Sequence, residues 1–476
     1  MSVHVDLPLV VDRVAADPLS VQVTRQLRAA MREGRVTAGE RLPSSRALAA
    51  TLGVSRTVVT EAYEQLYAEG WLEGRHGSGT YVAHISADLE VSHPSEPVDT
   101  WLTSRSAGVD LRPGVPWVGG LDTAGWRRAW RAAAAVAPAA RPDPRGLLGL
   151  RSALAEYMRR GRGVFCPAGR IIVTRGATNG LDLLAAAVLR PGDRVGVEEP
   201  GYARARSVLG ARTAEVVPCP VDEHGLIVEG LPDDLRLVYT TPSHQYPLGG
   251  VLPVPRRQAL LAWARRTGAL IAEDDYDGEF RYDVAPLPAL YGLDPEVVVY
   301  LGTTAKTLAP DVGVGWLAAR PDLIEAIARR REELSDRTPV VPQEAVRVLL
   351  ERGDLDRHIR RMRGEYARRR AIVVEALDGL PLRGDTAGLH VVVELPADLI
   401  GQVVREAAAR GVLLDSLERH HAGPSSTHGL VIGYGGARPA DLRTGCSLVR
   451  ELARTRVRAA AEVVWGAAPS LVRAGT

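Results

Sequence analysis

Lysine is almost absent from this chain. Of the 59 lysine and arginine side chains in 476 residues, one is lysine, Lys306. Arginine can take over any surface role of lysine, but it cannot lose its proton and form a Schiff base. Compositional drift accounts for the missing lysines, yet not for a survivor placed between a short apolar strand and a Gly-Thr-Thr turn. Cysteine is scarce too. Cys166, Cys219 and Cys446 are odd in number and far apart, which excludes a disulfide framework and a metal-ligand spacing and suits a reducing compartment. No apolar run approaches the roughly 20 residues that span a bilayer. The first residues lack a basic segment followed by an apolar one, so the expected location is the cytoplasm. A net charge of +2 excludes general polyelectrolyte affinity, so any nucleic-acid binding needs a local surface. The length calls for two or more domains.

Residues 1–84 form the first. Leu19, Val23, Leu27, Ala30 and Met31 keep helical spacing after Pro18, and Gly34 ends that run. A second helix through Leu48 and Leu52 stops at Gly53, and Ser55 caps a third carrying Val59, Ala62, Tyr63 and Leu66. The tight turn between them has helix-turn-helix spacing. The stretch from Gly70 to Val82 reads as a β-hairpin wing with a glycine-rich tip. Ser55, Arg56, Thr57 and Thr60 open the recognition helix, whose start points into the major groove in this motif. Arg46 reaches a phosphate or a guanine edge, and the amides of Gly77 and Gly79 allow close approach to phosphates. A small protein-interaction module is the plainer alternative. Residues 85–110 are polar and proline-interrupted, the composition of a tether.

From residue 111 to 476 short β-rich runs alternate with amphipathic helices, predicting a mostly parallel α/β sheet. Beyond Pro339 a helical, arginine-rich part precedes two strand-like runs, Leu389–Leu395 and Gly429–Tyr434, of a smaller α+β subdomain. Arg357–Arg370 reads by its spacing as an amphipathic helix with a solvated face, with a second DNA-facing surface as the alternative. Four loops after strands converge on one chemistry. Gly176-Ala177-Thr178 opens a helix, where free amides favour a phosphate. Tyr202 offers a face to a flat ring, with Arg204 near it for an anion. The loop Thr241–Gly249 brings His244 and Tyr246 as hydrogen-bonding groups. The acidic run from Glu273 to Glu279 can supply a carboxylate to a protonated pyridine nitrogen. Binding of Mg²⁺, or a merely solvated turn, is the alternative for that run. With Lys306 about thirty residues on, pyridoxal chemistry is the better reading.

These motifs resemble known families. Leu42-Pro43-Ser44-Ser45-Arg46, Leu52–Val58, Glu61–Leu66 and Gly77–Val82 resemble the winged helix of GntR-family transcription regulators. Thr241–Pro247 and Glu273–Asp277 resemble fold type I aminotransferases, and together the chain resembles the MocR branch, which fuses the two. The resemblance implies double-stranded DNA contacts at Arg46, Ser55, Arg56, Thr57, Thr60, His76 and Gly77. It implies pyridoxal 5′-phosphate held by Lys306, with Asp274 on the pyridine nitrogen, Tyr276 on the ring hydroxyl, Tyr202 stacked on the ring and Gly176-Ala177-Thr178 on the phosphate. Arg204 is the implied contact for an effector carboxylate, and a homodimer is the implied assembly.

The pattern also breaks. The family has serine before the lysine and arginine seven residues after it, both on the phosphate; here stand Ala305 and Gly313. The lost guanidinium and hydroxyl bonds are worth ~1.5–3 and ~0.5–1.5 kcal/mol. Where aminotransferases place the substrate-carboxylate arginine, the nearest basic group is His428. The expected function is therefore a MocR-type regulator sensing an amine, an amino acid or pyridoxal phosphate itself. A working aminotransferase with an appended DNA-binding domain, or a regulator that no longer holds the cofactor tightly, are the rivals.

Overall fold

The computed structural model describes residues 9–75, 79–84, 108–212 and 215–466. The chain divides into two compact units, Met1–Trp101 and Leu102–Thr476.

In the first unit α1 (Leu19–Arg32), α2 (Ser45–Leu52) and α3 (Arg56–Ala68) precede the antiparallel strands β1 (Leu72–Arg75) and β2 (Gly79–Val82). Ser44 caps α2 by accepting from the Ala47 amide at 3.2 Å, and Gly53 closes it in the left-handed conformation. The turn to α3 is thereby fixed. Val23, Leu27, Val59, Ala62, Leu66, Leu72 and Val82 are buried together, so one core binds the three helices to the wing. The Tyr63 hydroxyl donates to the Pro43 carbonyl at 2.7 Å and holds α3 against the entry to α2.

The second unit begins with β3 (Val109–Asp110), α4 (Thr123–Ala134) and α5 (Leu148–Arg162). Then come β4 (Ile171–Thr174), α6 (Ala177–Val188), β5 (Arg194–Glu199), α7 (Ala203–Gly210), and the hairpin β6 (Glu215–Asp222) and β7 (Gly225–Leu226). They are followed by β8 (Leu235–Thr240), α8 (Val254–Thr267), β9 (Leu270–Asp274), β10 (Val298–Thr303), β11 (Gly315–Ala318) and α9 (Pro321–Glu333). After α10 (Val340–Glu351) and α11 (Asp354–Ala376) the smaller part holds β12 (Leu382–Arg383), β13 (His390–Glu394), α12 (Ala397–Ala409), β14 (Val412–Leu413), β15 (Asp415–Ser416), β16 (Gly429–Gly433) and α13 (Pro439–Gly466).

The large sheet runs β4-β11-β10-β9-β8-β5-β6-β7, parallel except for β11 and β7. Its central strands are buried along their length, as the continuous apolar runs require of a sheet covered on both faces. The smaller sheet, β12-β13-β16-β15, is antiparallel. In α11 the apolar stripe Ile359, Met362 and Tyr366 is buried as its spacing requires, but the arginines are not all solvated. Arg369 is fully buried, 4.1 Å over the Trp117 ring, and donates to the Gly435 and Ala437 carbonyls. Among the described residues no helix is long and apolar enough to cross a membrane.

Candidate functional site

The loops leaving β4, β5, β8, β9 and β10 all sit at the carboxyl ends of parallel strands, where open α/β sheets bind ligands. The turn after β10 carries Lys306. Thr304 fixes that turn by donating from its amide and its hydroxyl to the Val314 carbonyl, at 3.0 and 2.7 Å. Thr303 accepts from the Ala305 amide at 3.1 Å. The Lys306 amine donates to the Gly114 carbonyl at 2.6 Å. Burial lowers its pKa, partly offset by Asp277 and Asp274, so more of the amine is free base and nucleophilic than in water.

The three consecutive acids at the end of β9 have different partners. Glu273 points away and accepts from the Leu290 and Tyr291 amides at 2.7 and 2.8 Å. Asp275 is buried against Arg162 and the Tyr300 hydroxyl. Asp274 accepts from the Tyr239 hydroxyl at 2.6 Å through Oδ2, while its Oδ1 is buried with no partner. Burial pushes the Asp274 pKa up to about 7. A buried carboxylate oxygen without a donor is costly unless a ligand supplies one, and a protonated ring nitrogen is such a donor. Strand alternation explains the division: neighbouring side chains on β9 face opposite sides of the sheet.

Tyr276 and Asp277 both meet His244, whose Nδ1 lies 3.0 Å from the Tyr276 hydroxyl and 2.9 Å from Asp277 Oδ2. Tyr246 stands edge-on to Tyr202 and Tyr276, with ring centroids 5.8 and 5.9 Å apart. The Tyr202 hydroxyl bonds Thr178, joining the ring-facing loop to the start of α6. That start is open: Gly176 precedes α6 with φ +111° and no side chain caps it, leaving the first amides of a 12-residue helix free. A β-carbon on Gly315 would lie 2.5 Å from Gly176 Cα, so only glycine lets β11 run this close to the opening. Gly313 adopts φ +61° where the family has arginine. The cradle thus fits pyridoxal 5′-phosphate at the ring, and at the phosphate it offers backbone amides and the hydroxyls of Thr178 and Thr303.

Lys306, Asp274, Tyr276, Tyr202, His244 and Tyr246 are brought together, with Gly176, Ala177 and Thr178 at one end. Arg204 is exposed and without a partner, yet close enough for its charge to act on Lys306. His428 is directed elsewhere, its Nδ1 3.6 Å from Glu418. Sequence reasoning missed Tyr239, which positions Asp274, and Glu198, which accepts from the Thr240 and Thr241 hydroxyls at 2.5 and 2.6 Å and ties the β8 loop to β5. An acid inside an apolar strand was the available signal for Glu198; for Tyr239 there was none.

In the winged helix Arg46, Ser55, Arg56 and Thr57 are exposed at the start of α2 and α3, and Thr60 turns its hydroxyl back to the Arg56 carbonyl at 3.0 Å. Arg56 Nε donates to the Ser45 hydroxyl at 3.3 Å. His76 and Gly77 lie outside the described residues. Arg41, unmarked by any motif, packs its guanidinium against Gly79 at the root of the wing.

Residues 19–82 match the family of bacterial regulatory proteins, gntR family, and residues 123–428 match aminotransferase class I and II. The chain is 40% identical over 438 residues to the HTH-type pyridoxine biosynthesis transcriptional regulator PdxR of Corynebacterium glutamicum, covering 90% of this chain and 95% of that protein. It is 33% identical over 471 residues to the probable rhizopine catabolism regulatory protein MocR of Rhizobium meliloti, covering 93% of this chain and 95% of that one. Among solved structures, the multiple substrate aminotransferase of Thermococcus profundus superposes with a TM-score of 0.69 at 26% identity, covering 79% of this chain and 98% of the enzyme. The cofactor of this aminotransferase-like domain is pyridoxal 5′-phosphate. With a gntR head and an aminotransferase body in one chain, the protein belongs to the MocR branch of GntR-family transcription regulators.

Proposed function

We propose that this regulator senses pyridoxal 5′-phosphate itself, held on Lys306, and does not turn over an amino acid. The observation that carries the reading is a contrast within one pocket. Asp274 Oδ1 is buried and without a donor, whereas His428, the nearest basic group to the usual place of the substrate-carboxylate arginine, is turned to Glu418. The site keeps what holds the cofactor ring, and of the two basic groups expected near an amino acid's carboxylate only Arg204 is free. The name of the Corynebacterium relative, a regulator of pyridoxine biosynthesis, supports the same effector.

When bound, pyridoxal phosphate supplies an aldehyde carbon and an electron-withdrawing ring. Lys306 brings an amine whose pKa burial has lowered, and Asp274 accepts the ring nitrogen's proton in a hydrogen bond. Tyr202 would cover a ring face and Tyr276 with His244 would hold the ring hydroxyl side, while Tyr246 packs edge-on against Tyr202. The amides of Gly176, Ala177 and Thr178 take the phosphate. At the other end of the chain Arg46, Ser55, Arg56, Thr57, Thr60, His76 and Gly77 contact duplex DNA. The acting species is a homodimer.

The test is to titrate pyridoxal 5′-phosphate into the apo-protein while following binding to its own promoter duplex. Operator affinity is expected to change by tenfold or more with cofactor and to stay constant in Lys306→Ala. A response only to an added amino acid, with stoichiometric conversion of the bound cofactor to its amine form, would favour the aminotransferase reading. Arg204, whose guanidinium is free, is the residue that could hold a carboxylate there.

A further inference from the structure

At the far end of the acidic loop from Asp274 a second pocket opens, with a volume of about 290 Å³. It is lined by the end of α5 and the first half of α11, together with Glu279 and Pro286. That volume is near the lower end of the ~300–1,000 Å³ typical of small-molecule sites. Its walls are unusually rich in guanidinium: Arg160, Arg162, Arg360 and Arg363 all line it.

Pairing off the charges leaves a cationic surplus. Arg162 is buried and neutralised by Asp275, and Arg160 meets Asp356 at 3.1 Å. Arg360 is exposed and has neither an ion pair nor a hydrogen bond. Arg363 uses only Nε, which donates to the Glu279 carbonyl at 3.0 Å, so its two terminal nitrogens are free. The remaining acid, Glu279, accepts from the Tyr157 hydroxyl at 2.6 Å, and burial raises its pKa. It is therefore a weak counterion for the two free arginines. Arg360 and Arg363 stand three residues apart on one helix, the spacing at which side chains share a face. Two forked donors on one face match the oxygens of a dianion, which one carboxylate would not fill. Ile359 and Pro286 supply apolar contact beside them.

We infer that this pocket is a second ligand site, separate from Lys306, that takes a small phosphomonoester: the phosphate between Arg360 and Arg363, the compact organic body on Ile359 and Pro286. Arg162 links the site to the loops around Lys306, since it lines the pocket and also donates to the Ser243 hydroxyl at 2.8 Å, next to His244. The concave shape favours a small ligand over the phosphates of a DNA backbone, which carry the same chemistry.

The test uses the full chain saturated with pyridoxal 5′-phosphate, so that the phosphate cradle at α6 is filled, and repeats it without added cofactor. Calorimetric titration with phenyl phosphate, inorganic phosphate and benzoate measures the site directly. Phenyl phosphate is expected to bind one per chain in both states, more tightly than either of the other probes, and at least tenfold more weakly to Arg360→Ala/Arg363→Ala. Arg360→Glu, on an exposed position that does not disturb folding, is expected to weaken it as well. Unchanged binding in both variants, or binding that vanishes once the cofactor is present, overturns the proposal. So does a double variant that loses affinity for promoter duplex while binding phenyl phosphate as before, because the arginines then serve DNA.

Discussion

The two ends of the pocket over Lys306 are built on different principles. At the ring end, side chains do everything: Asp274 is oriented by Tyr239, Lys306 is held by the Gly114 carbonyl, and one carboxylate oxygen is left without a donor in a buried site. At the phosphate end, side chains are few. Ala305 and Gly313 stand where a hydroxyl and a guanidinium are usual, and the start of α6 offers amides held open by Gly176 and Gly315. The ring end keeps the side chains expected of it, while the phosphate end offers mostly backbone amides, with the hydroxyls of Thr178 and Thr303 beside them. On the proposed function such a site would select its ligand at the ring and hold it loosely at the phosphate, the combination a sensor needs if it is to follow a changing concentration.

The largest way to break this contrast is at the lysine. Lys306→Ala is expected to abolish the visible absorption band that added pyridoxal phosphate produces, with no residual covalent adduct by mass spectrometry. Next is Asp274→Asn, which removes a charge-assisted bond worth ~1.5–3 kcal/mol and so weakens the cofactor by roughly ten- to a hundredfold in a spectrophotometric titration. The same substitution has a second readout. A carboxyl whose folded-state pKa of about 7 lies above its unfolded value favours folding when protonated. The apo-protein therefore loses stability as pH rises from ~4 to ~7, at up to ~1.4 kcal/mol per pH unit for this group. Denaturant midpoints for Asp274→Asn should fall less steeply across that window, and an unchanged slope would show that Asp274 is not held in its protonated form.

The phosphate end can be sharpened instead of broken. Gly313→Arg is expected to tighten the cofactor at least about tenfold, at a cost to folding of ~1–2 kcal/mol, because position 313 is left-handed at φ +61°. Equal affinity in wild type and variant would mean the amides already suffice. Ala305→Ser is the smallest step, a gain of a few-fold at most from one neutral hydrogen bond worth ~0.5–1.5 kcal/mol.

Much of this site was legible in the sequence because its parts depend on local rules. A lone lysine after an apolar strand, an acidic run closing another, and a glycine opening a helix are each set by neighbours in the chain. The winged helix was legible for the same reason: serine caps and a left-handed Gly53 mark its turns. What escaped were pairings across large separations. Tyr239 and Asp274 meet because β8 and β9 are adjacent and parallel, with Tyr239 opposite Ala272 in register. Arg369 reads as one more solvated arginine until Trp117, 252 positions earlier, closes over it. Three acids in a row look alike as letters. Only the pleat of β9 and the neighbours on either side give them separate tasks.

The bond from Lys306 to the Gly114 carbonyl joins the sensing amine to the stretch of chain that follows residues 85–110 in sequence. A ligand that takes the amine would take it from Gly114, so on the proposed function occupancy would release this anchor. Reciprocity makes the effect run both ways: a pull that frees Gly114 from the lysine changes the affinity of the lysine's ligand by the same factor. On the proposed function a single carbonyl oxygen would compete with the ligand for one nitrogen.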